Sequence, residues 1–233
     1  METRWFDVDG ARLHVGVVGT GRDLLVLTGG PGCVQYLEQD ELVPSGFRGW
    51  HPEPRGVGRS SGGPHGMEQA IADLEELRRA AGVAVWTVLG HSWGCDLALR
   101  YAIEHPAAVT AVIGIAGRGF QRDRHWSEAY EAGKAGEPVV DIGWAPDVHA
   151  SLSASFTEWI HSPSLWSRVA TCDVPVQLIA AGDDIRPSWP MEQLAALLPH
   201  GAFWTVPGVP HDFWSTHPGE WVATLARALE VRP

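Results

Sequence analysis

The sequence of 233 residues predicts an α/β architecture: a mostly parallel, twisted sheet with helices on both faces. Three observations carry this. Short β-branched, apolar runs alternate with segments of helical periodicity, the pattern of strand–helix–strand crossovers. One such run, Val85 to Leu89, passes directly into Gly90-His91-Ser92-Trp93-Gly94 and then into a helical pattern from Cys95 to His105. The chain also opens with two alternating runs on either side of Asp9-Gly10, a type I′ hairpin signal that sets an antiparallel pair ahead of the parallel strands.

Taken in order, Arg4 to Val8 and Arg12 to Val18 form that pair, and Asp23 to Thr28 is a short buried strand ending at Gly29-Gly30-Pro31-Gly32. Phe47 to His51 reads as a fourth strand, stopped by Pro52 and Pro54. Met67 to Ala81 is an amphipathic helix, with Ile71, Leu74 and Leu77 on one face and Gly82 as its stop. After the Gly90–Gly94 turn and its helix, Val109 to Ala116 is a continuous apolar strand. Val174 to Ala181 and Ala202 to Val206 complete the set, separated by a helix from about Ser188 to Leu198. A final helix begins near His217-Pro218-Gly219-Glu220 and runs to about Val231.

Between Arg118 and Ala170 the alternation stops. Helical patterns at Arg124 to Gly133 and Asp147 to His161 are joined there by turns containing Gly and Pro. The segment is too long for a plain connection. The sequence thus divides into a core of residues 1–117 and 171–233 and a helical insertion of residues 118–170.

Composition narrows the functional classes. A formal charge of −11 opposes nucleic acid and anionic membrane surfaces as partners. No apolar run approaches a membrane span, and Met1-Glu2-Thr3-Arg4-Trp5 does not read as a secretory leader. Cys33, Cys95 and Cys172 are too few and too scattered for a disulfide framework. A cytoplasmic protein acting on a small molecule is expected, with its oligomeric state open. Cys33 and Cys95 flank the two glycine-rich turns, where packing of small side chains is the expected role.

A strand-to-helix turn of the form Gly-x-Ser-x-Gly pushes one hydroxyl, here Ser92, out above the end of a sheet. The two glycines let backbones approach where a side chain would not fit. The following helix turns N–H groups and its positive dipole end towards Ser92. A serine hydroxyl needs a base within hydrogen-bond reach, oriented by a carboxylate. Of eleven histidines, His211 lies in the loop directly after the last strand, whereas His200 precedes it at the wrong end. His217 begins the final helix, and the strand position of His91 points to packing. Asp183 and Asp184 both follow the strand ending at Ala181, with Asp184 favoured as the carboxylate. Acyl transfer also needs donors for a developing oxyanion. The N–H of Trp93 is one, and Gly30 is the best second, because Pro31 has no N–H. The glycine loop lacks the Gly-Lys-Ser/Thr ending of a phosphate cradle, and no cofactor or metal is implied.

These pieces resemble the α/β-hydrolase superfamily and, within it, the proline iminopeptidase-like branch. The matching motifs are Thr28-Gly29-Gly30-Pro31-Gly32, Arg55-Gly56-Val57-Gly58-Arg59-Ser60, Gly90-His91-Ser92-Trp93-Gly94, Asp184-Ile185-Arg186-Pro187 and Pro207 to His211. The resemblance implies an α/β-hydrolase fold with Ser92 as nucleophile, Asp184 as orienting acid and His211 as base. It also implies Gly30 and Trp93 as oxyanion donors, and the insertion as a cap. Thr28 stands where the family usually has His, Glu53-Pro54 replaces Asp-Gln, and the cap is short.

Iminopeptidases of this kind hold the substrate's free amine with cap glutamates. Glu128, Glu131, Glu137 and Glu158 are available here, and no motif selects among them. The cap tryptophans Trp126, Trp144, Trp159 and Trp166, with Trp93, Trp189 and Trp214 beside the triad positions, either wall an apolar pocket or form the cap's own core. The leading expectation is a serine hydrolase acting on an ester, thioester or amide through an acyl-enzyme. Aminopeptidase action is the competing reading, with a ligand receptor or a biosynthetic lyase, cyclase or acyl transferase as further uses of the scaffold.

Overall fold

The computed structural model describes residues 1–121 and 123–230. The strands are β1 (Glu2–Val8), β2 (Ala11–Gly19), β3 (Arg22–Leu27), β4 (Phe47–Pro52), β5 (Trp86–His91), β6 (Val109–Ile115), β7 (Val176–Ala181) and β8 (Gly201–Val206). They form one sheet in the order β1-β2-β4-β3-β5-β6-β7-β8. β1 pairs antiparallel with β2, and β2 with β4. Every later pairing, from β4–β3 to β7–β8, is parallel. The carboxyl ends of the parallel strands therefore gather along one edge, where open α/β sheets present their chemistry.

The helices are α1 (Met67–Ala80), α2 (Trp93–Glu104), α3 (Arg124–Gly133), α4 (Pro146–Ile160), α5 (Leu165–Ala170), α6 (Trp189–Leu197), α7 (Phe213–Thr216) and α8 (Pro218–Glu230). Strand periodicity sends alternate side chains to opposite faces. Leu25, Val88, Val112 and Leu178 meet residues of α1, α2, α4 and α6 on one side. Their neighbours Leu24, Leu89, Ile113 and Ile179 meet Phe213, Trp221 and Leu225 of α7 and α8 on the other. Every residue of β5 is buried, as a central parallel strand covered on both faces requires.

The observed elements follow the periodicity closely, with informative differences. Between β1 and β2 only Gly10 is left-handed (φ 69°), so the two-residue turn is not the type I′ turn expected of Asp9-Gly10. The Asp9 N–H is taken by the Glu76 carboxylate of α1 at 2.9 Å. β7 begins at Val176 rather than Val174, beyond Pro175, which has no N–H for a ladder. The short helices α5 and α7 carry no periodic signal in the sequence, since six and four residues make too few turns to display a period. The expected end of the last helix at Val231 lies outside the described residues.

Three helices, α3, α4 and α5, occupy the stretch between β6 and β7. On α4 the buried residues are Val148, Leu152, Phe156 and Trp159, a stripe at helical spacing that packs into the main core. Ahead of α4 the chain docks on the glycine loop after β3. Val34 donates to the Gly143 carbonyl (2.9 Å), Ala145 donates to that of Gly32 (2.9 Å), and Cys33 and Trp144 form an isolated antiparallel bridge. His149 Nδ1 adds a hydrogen bond to the Pro31 carbonyl at 2.8 Å.

Candidate active site

Ser92 sits between the last residue of β5 and the first of α2, with φ 55° and ψ −127°. This region of backbone space is normally left to glycine, and holding serine there costs on the order of 1–3 kcal/mol. The surroundings enforce it. Ser92 N–H is tied to the Ile115 carbonyl of β6 at 2.8 Å. A Cβ at Gly90 would overlap the Gly94 carbonyl, and one at Gly94 would overlap the carbonyl oxygens of Leu27 and Thr28. Only glycine at both positions lets α2 start this close to β3 and β5.

The loops after β7 and β8 deliver the partners. His211 Nε2 lies 3.0 Å from Ser92 Oγ, and His211 Nδ1 lies 2.5 Å from Asp184 Oδ2. Asp184 Oδ1 accepts from the Arg186 backbone N–H (2.9 Å) and from its guanidinium (3.0 Å). Asp183 is exposed, and its N–H goes to the Val209 carbonyl at 2.9 Å. Of the two neighbouring aspartates, the geometry brings Asp184 to the histidine. Burial works to raise the Asp184 carboxyl, but the hydrogen bond and charge of His211, aided by Arg186, outweigh it and hold it below its ordinary value.

Gly30 is left-handed (φ 47°) in the loop after β3, and Trp93 is the first residue of α2. The N–H of a first helical residue has no intrahelical acceptor, which leaves it to serve a ligand. Cys33 Sγ packs over Gly30, close enough that a Cβ there would lie 2.7 Å from the sulfur. Burial pushes the Cys33 thiol up to about 11, with Asp212 adding to the shift, and all three cysteines are free.

Arg186 also reaches outward. Its guanidinium is paired with the Glu137 carboxylate and lies over the Tyr130 ring at 5.0 Å. Burial opposes its charge, but the Glu137 hydrogen bond and the Asp184 charge raise its pKa further. One side chain thus joins the loop holding Asp184 to the segment that follows α3.

The tryptophans are placed in several different surroundings. An apolar cavity of about 60 Å³ lies beside Trp93, walled among others by Thr28, Leu97, Val148 and Leu152; its walls include neither Ser92, Asp184 and His211 nor the other tryptophans. Trp159 belongs to the core stripe of α4, 4.8 Å from Phe120. Trp126 is buried with its indole N–H on the Pro187 carbonyl (3.1 Å), Trp144 is 56% exposed, and Trp189 and Trp166 border a separate surface groove. Trp214 does adjoin the site, stacked on Tyr36 at 4.9 Å.

Sequence reasoning missed Tyr36 and the part played by His91. Tyr36 Oη lies 2.6 Å from Gly29 N and 2.7 Å from His91 Nδ1, while His91 Nε2 lies 3.0 Å from the His211 carbonyl. Burial pushes the Tyr36 phenol well above its ordinary value. Burial, with His211 nearby, lowers His91 to about 4. A tyrosine a few residues past the glycine loop carries no motif; only the fold reveals it. Two groups of potential metal ligands, His91–His211–Asp212 and Glu137–Asp184–His211, share His211, whose ring nitrogens here carry the contacts to Ser92 and Asp184.

Behind the site, Asp96 of α2 is fully buried. It accepts the Gly119 N–H at 3.0 Å, tying the elbow helix to the chain leaving β6. Burial pushes its carboxyl up to about 7, against the opposing pull of Arg118.

Comparison with known proteins agrees with this architecture. The α/β hydrolase fold family model matches residues 24–138. A proline iminopeptidase of Xylella fastidiosa (strain 9a5c) is 35% identical over 128 residues, covering 51% of this chain and 39% of that protein. One from Neisseria gonorrhoeae is 34% identical over 100 residues, covering 40% and 32%. These alignments span well under half the length of the curated relatives. Among solved structures, a proline iminopeptidase of Mycobacterium smegmatis superposes with a TM-score of 0.73 at 19% identity, covering 98% of this chain and 97% of that one. An α/β hydrolase fold protein from Chitinophaga pinensis gives 0.75 at 19% identity, covering 99% and 98%. The chain has the α/β-hydrolase fold, and proline iminopeptidases are among its relatives. Among the described residues, no helix is long and apolar enough to cross a membrane.

Proposed function

We propose that this α/β-hydrolase-fold protein is a serine hydrolase that cleaves a carboxylic ester, thioester or amide through an acyl-enzyme. The observation that carries the reading is the continuous line Ser92 Oγ–His211 Nε2 and His211 Nδ1–Asp184 Oδ2, at 3.0 and 2.5 Å, built on a strained elbow. Ser92 Oγ attacks the carbonyl carbon as His211 takes its proton, and the oxyanion forms towards the N–H groups of Gly30 and Trp93. Collapse of that intermediate breaks the bond to the leaving group, which departs with the proton from His211. Water, deprotonated by the same histidine, then releases the acid and restores Ser92. Asp184 keeps the imidazole in the tautomer that presents a lone pair to the serine. The segment carrying α3, α4 and α5 acts as a cap over this site.

The glutamates favour a substrate without a free amine. Glu128 is paired with Arg124, Glu131 with Lys134 and Glu137 with Arg186, while Glu158 is exposed on α4 in a separate groove. Each of the first three already has a cation, so binding an ammonium group would compete with an existing pair. The names of the relatives support the second reading, proline iminopeptidase action.

Incubation with a fluorophosphonate, followed by peptide mass spectrometry, tests the nucleophile. An adduct on Ser92, absent in Ser92→Ala, is expected; folded protein that stays unlabelled overturns the proposal. A panel of p-nitrophenyl esters against prolyl p-nitroanilide separates the two substrate readings.

A further inference from the structure

We infer that the Tyr36 hydroxyl and the His91 imidazole form a positioning relay that holds the oxyanion loop in register with the catalytic base. The inference rests on the reading of Ser92 as nucleophile and His211 as base. Its direction follows from donor and acceptor inventory alone. The His211 carbonyl can only accept, so His91 Nε2 carries the proton and donates across 3.0 Å. His91 Nδ1 is then a lone pair, and Tyr36 Oη donates to it across 2.7 Å. The same oxygen accepts the Gly29 N–H at 2.6 Å. A neutral His91 and a protonated Tyr36 satisfy every link, and the burial of both groups favours those forms.

The relay joins groups that the reaction needs in fixed relation. At one end, Gly29 immediately precedes Gly30, the proposed oxyanion donor. At the other, the acceptor is the backbone carbonyl of His211 itself. The middle member, His91, directly precedes Ser92. Space at the junction is closed: a Cβ on Gly29 would lie 2.9 Å from both Ser92 Oγ and Tyr36 Oη. The Tyr36 ring is held on two sides, stacked on Trp214 at 4.9 Å and set edge-on to His91 at 5.8 Å. Loops following β3 and β8, which share no ladder in the sheet, are thus braced through the end of β5. Tyr36 and His91 bond to the oxyanion loop and to the backbone of the base, so they act through those groups.

The experiment compares the wild type with Tyr36→Phe, and with His91→Leu and His91→Gln in case Tyr36→Phe does not fold. Hydrolysis of a p-nitrophenyl ester and inhibition by phenylboronic acid, which places a negatively charged oxygen in the oxyanion site, are measured on each. A displaced oxyanion loop should lower kcat roughly tenfold to hundredfold. The boronate Ki should rise by a similar factor while KM stays within about twofold. His91→Gln, which keeps an acceptor and a donor, should recover part of what His91→Leu loses. A folded Tyr36→Phe with wild-type kcat and Ki overturns the inference. So does a fall in kcat with unchanged Ki, which marks a loss of active protein. If wild-type protein neither turns over esters nor is labelled at Ser92 by a fluorophosphonate, the nucleophile reading itself fails, and the relay falls with it.

Discussion

Asp96→Asn converts the buried carboxyl of the elbow helix into a neutral group of the same shape and isolates its proton linkage. Asp96 is completely buried, and its pKa is raised from an ordinary 3.8 to about 7, chiefly by burial. A carboxyl with a raised folded pKa makes the native state the better proton binder. Its stabilising contribution is therefore complete below 3.8 and is lost as pH rises through 7. The rise from 3.8 to about 7 corresponds to about 4 kcal/mol. Between pH 5 and pH 8 the part that is lost amounts to about 2–3 kcal/mol. Urea denaturation of wild type and Asp96→Asn at intervals across that range, at constant ionic strength, reads it directly. The wild type should lose stability relative to the variant as pH rises, with the difference changing by about 2–3 kcal/mol. Parallel profiles, with a difference constant to about 0.5 kcal/mol, would refute a protonated Asp96.

Ser92→Gly and Ser92→Ala should both be inactive, yet the glycine variant should be the more stable by about 1 kcal/mol, because only glycine fits φ 55°, ψ −127° without strain; thermal melts of the pair decide it. Arg186→Gln removes the bridge between Asp184 and Glu137. It should cost on the order of 2 kcal/mol of stability, below the range for a fully buried pair, and speed proteolytic cleavage around residues 134–145. His51 is fully buried with its pKa lowered to about 4, so its neutral form contributes stability that is intact above 6.5 and drains away as pH falls towards 4. Replacing it in His51→Gln should flatten the acid-side loss by about 3 kcal/mol, measured by urea titration from pH 7 to pH 4.

The residues that meet at Ser92 could be read from the chain because each sits at a strand end marked by local chemistry. A glycine pair flanks Ser92, an Asp-rich turn follows β7, and a Pro-Gly loop precedes His211. Strand periodicity fixes which end of the sheet those loops occupy, and the parallel order gathers them on one edge. The tryptophans resisted the same treatment. Their destination depends on which helix face they occupy, and Trp159 shares the spacing of Val148, Leu152 and Phe156, a core stripe visible in the sequence once α4 is given its phase. Tyr36, the His91 tautomer and the Arg186–Glu137 pair depend on loops distant in the chain coming together. The turn at Gly10 depends on the same kind of distant contact, since Glu76 of α1 holds the neighbouring Asp9 N–H.

The short antiparallel clasp between residues 32–34 and 143–145 bears on how this protein can be re-engineered. Insertions between β6 and β7 are attractive for exchange between relatives, since under the proposed function this segment is the roof over the site and changing it is the simplest way to change what fits beneath. Here the roof and the glycine loop share backbone hydrogen bonds, with His149 gripping the Pro31 carbonyl beside them. A transplanted segment that lacked this clasp would free the loop bearing Gly30 along with the roof. Specificity and turnover would then change together, so a successful chimera has to carry Gly143 to His149 over intact and vary the helices beyond them.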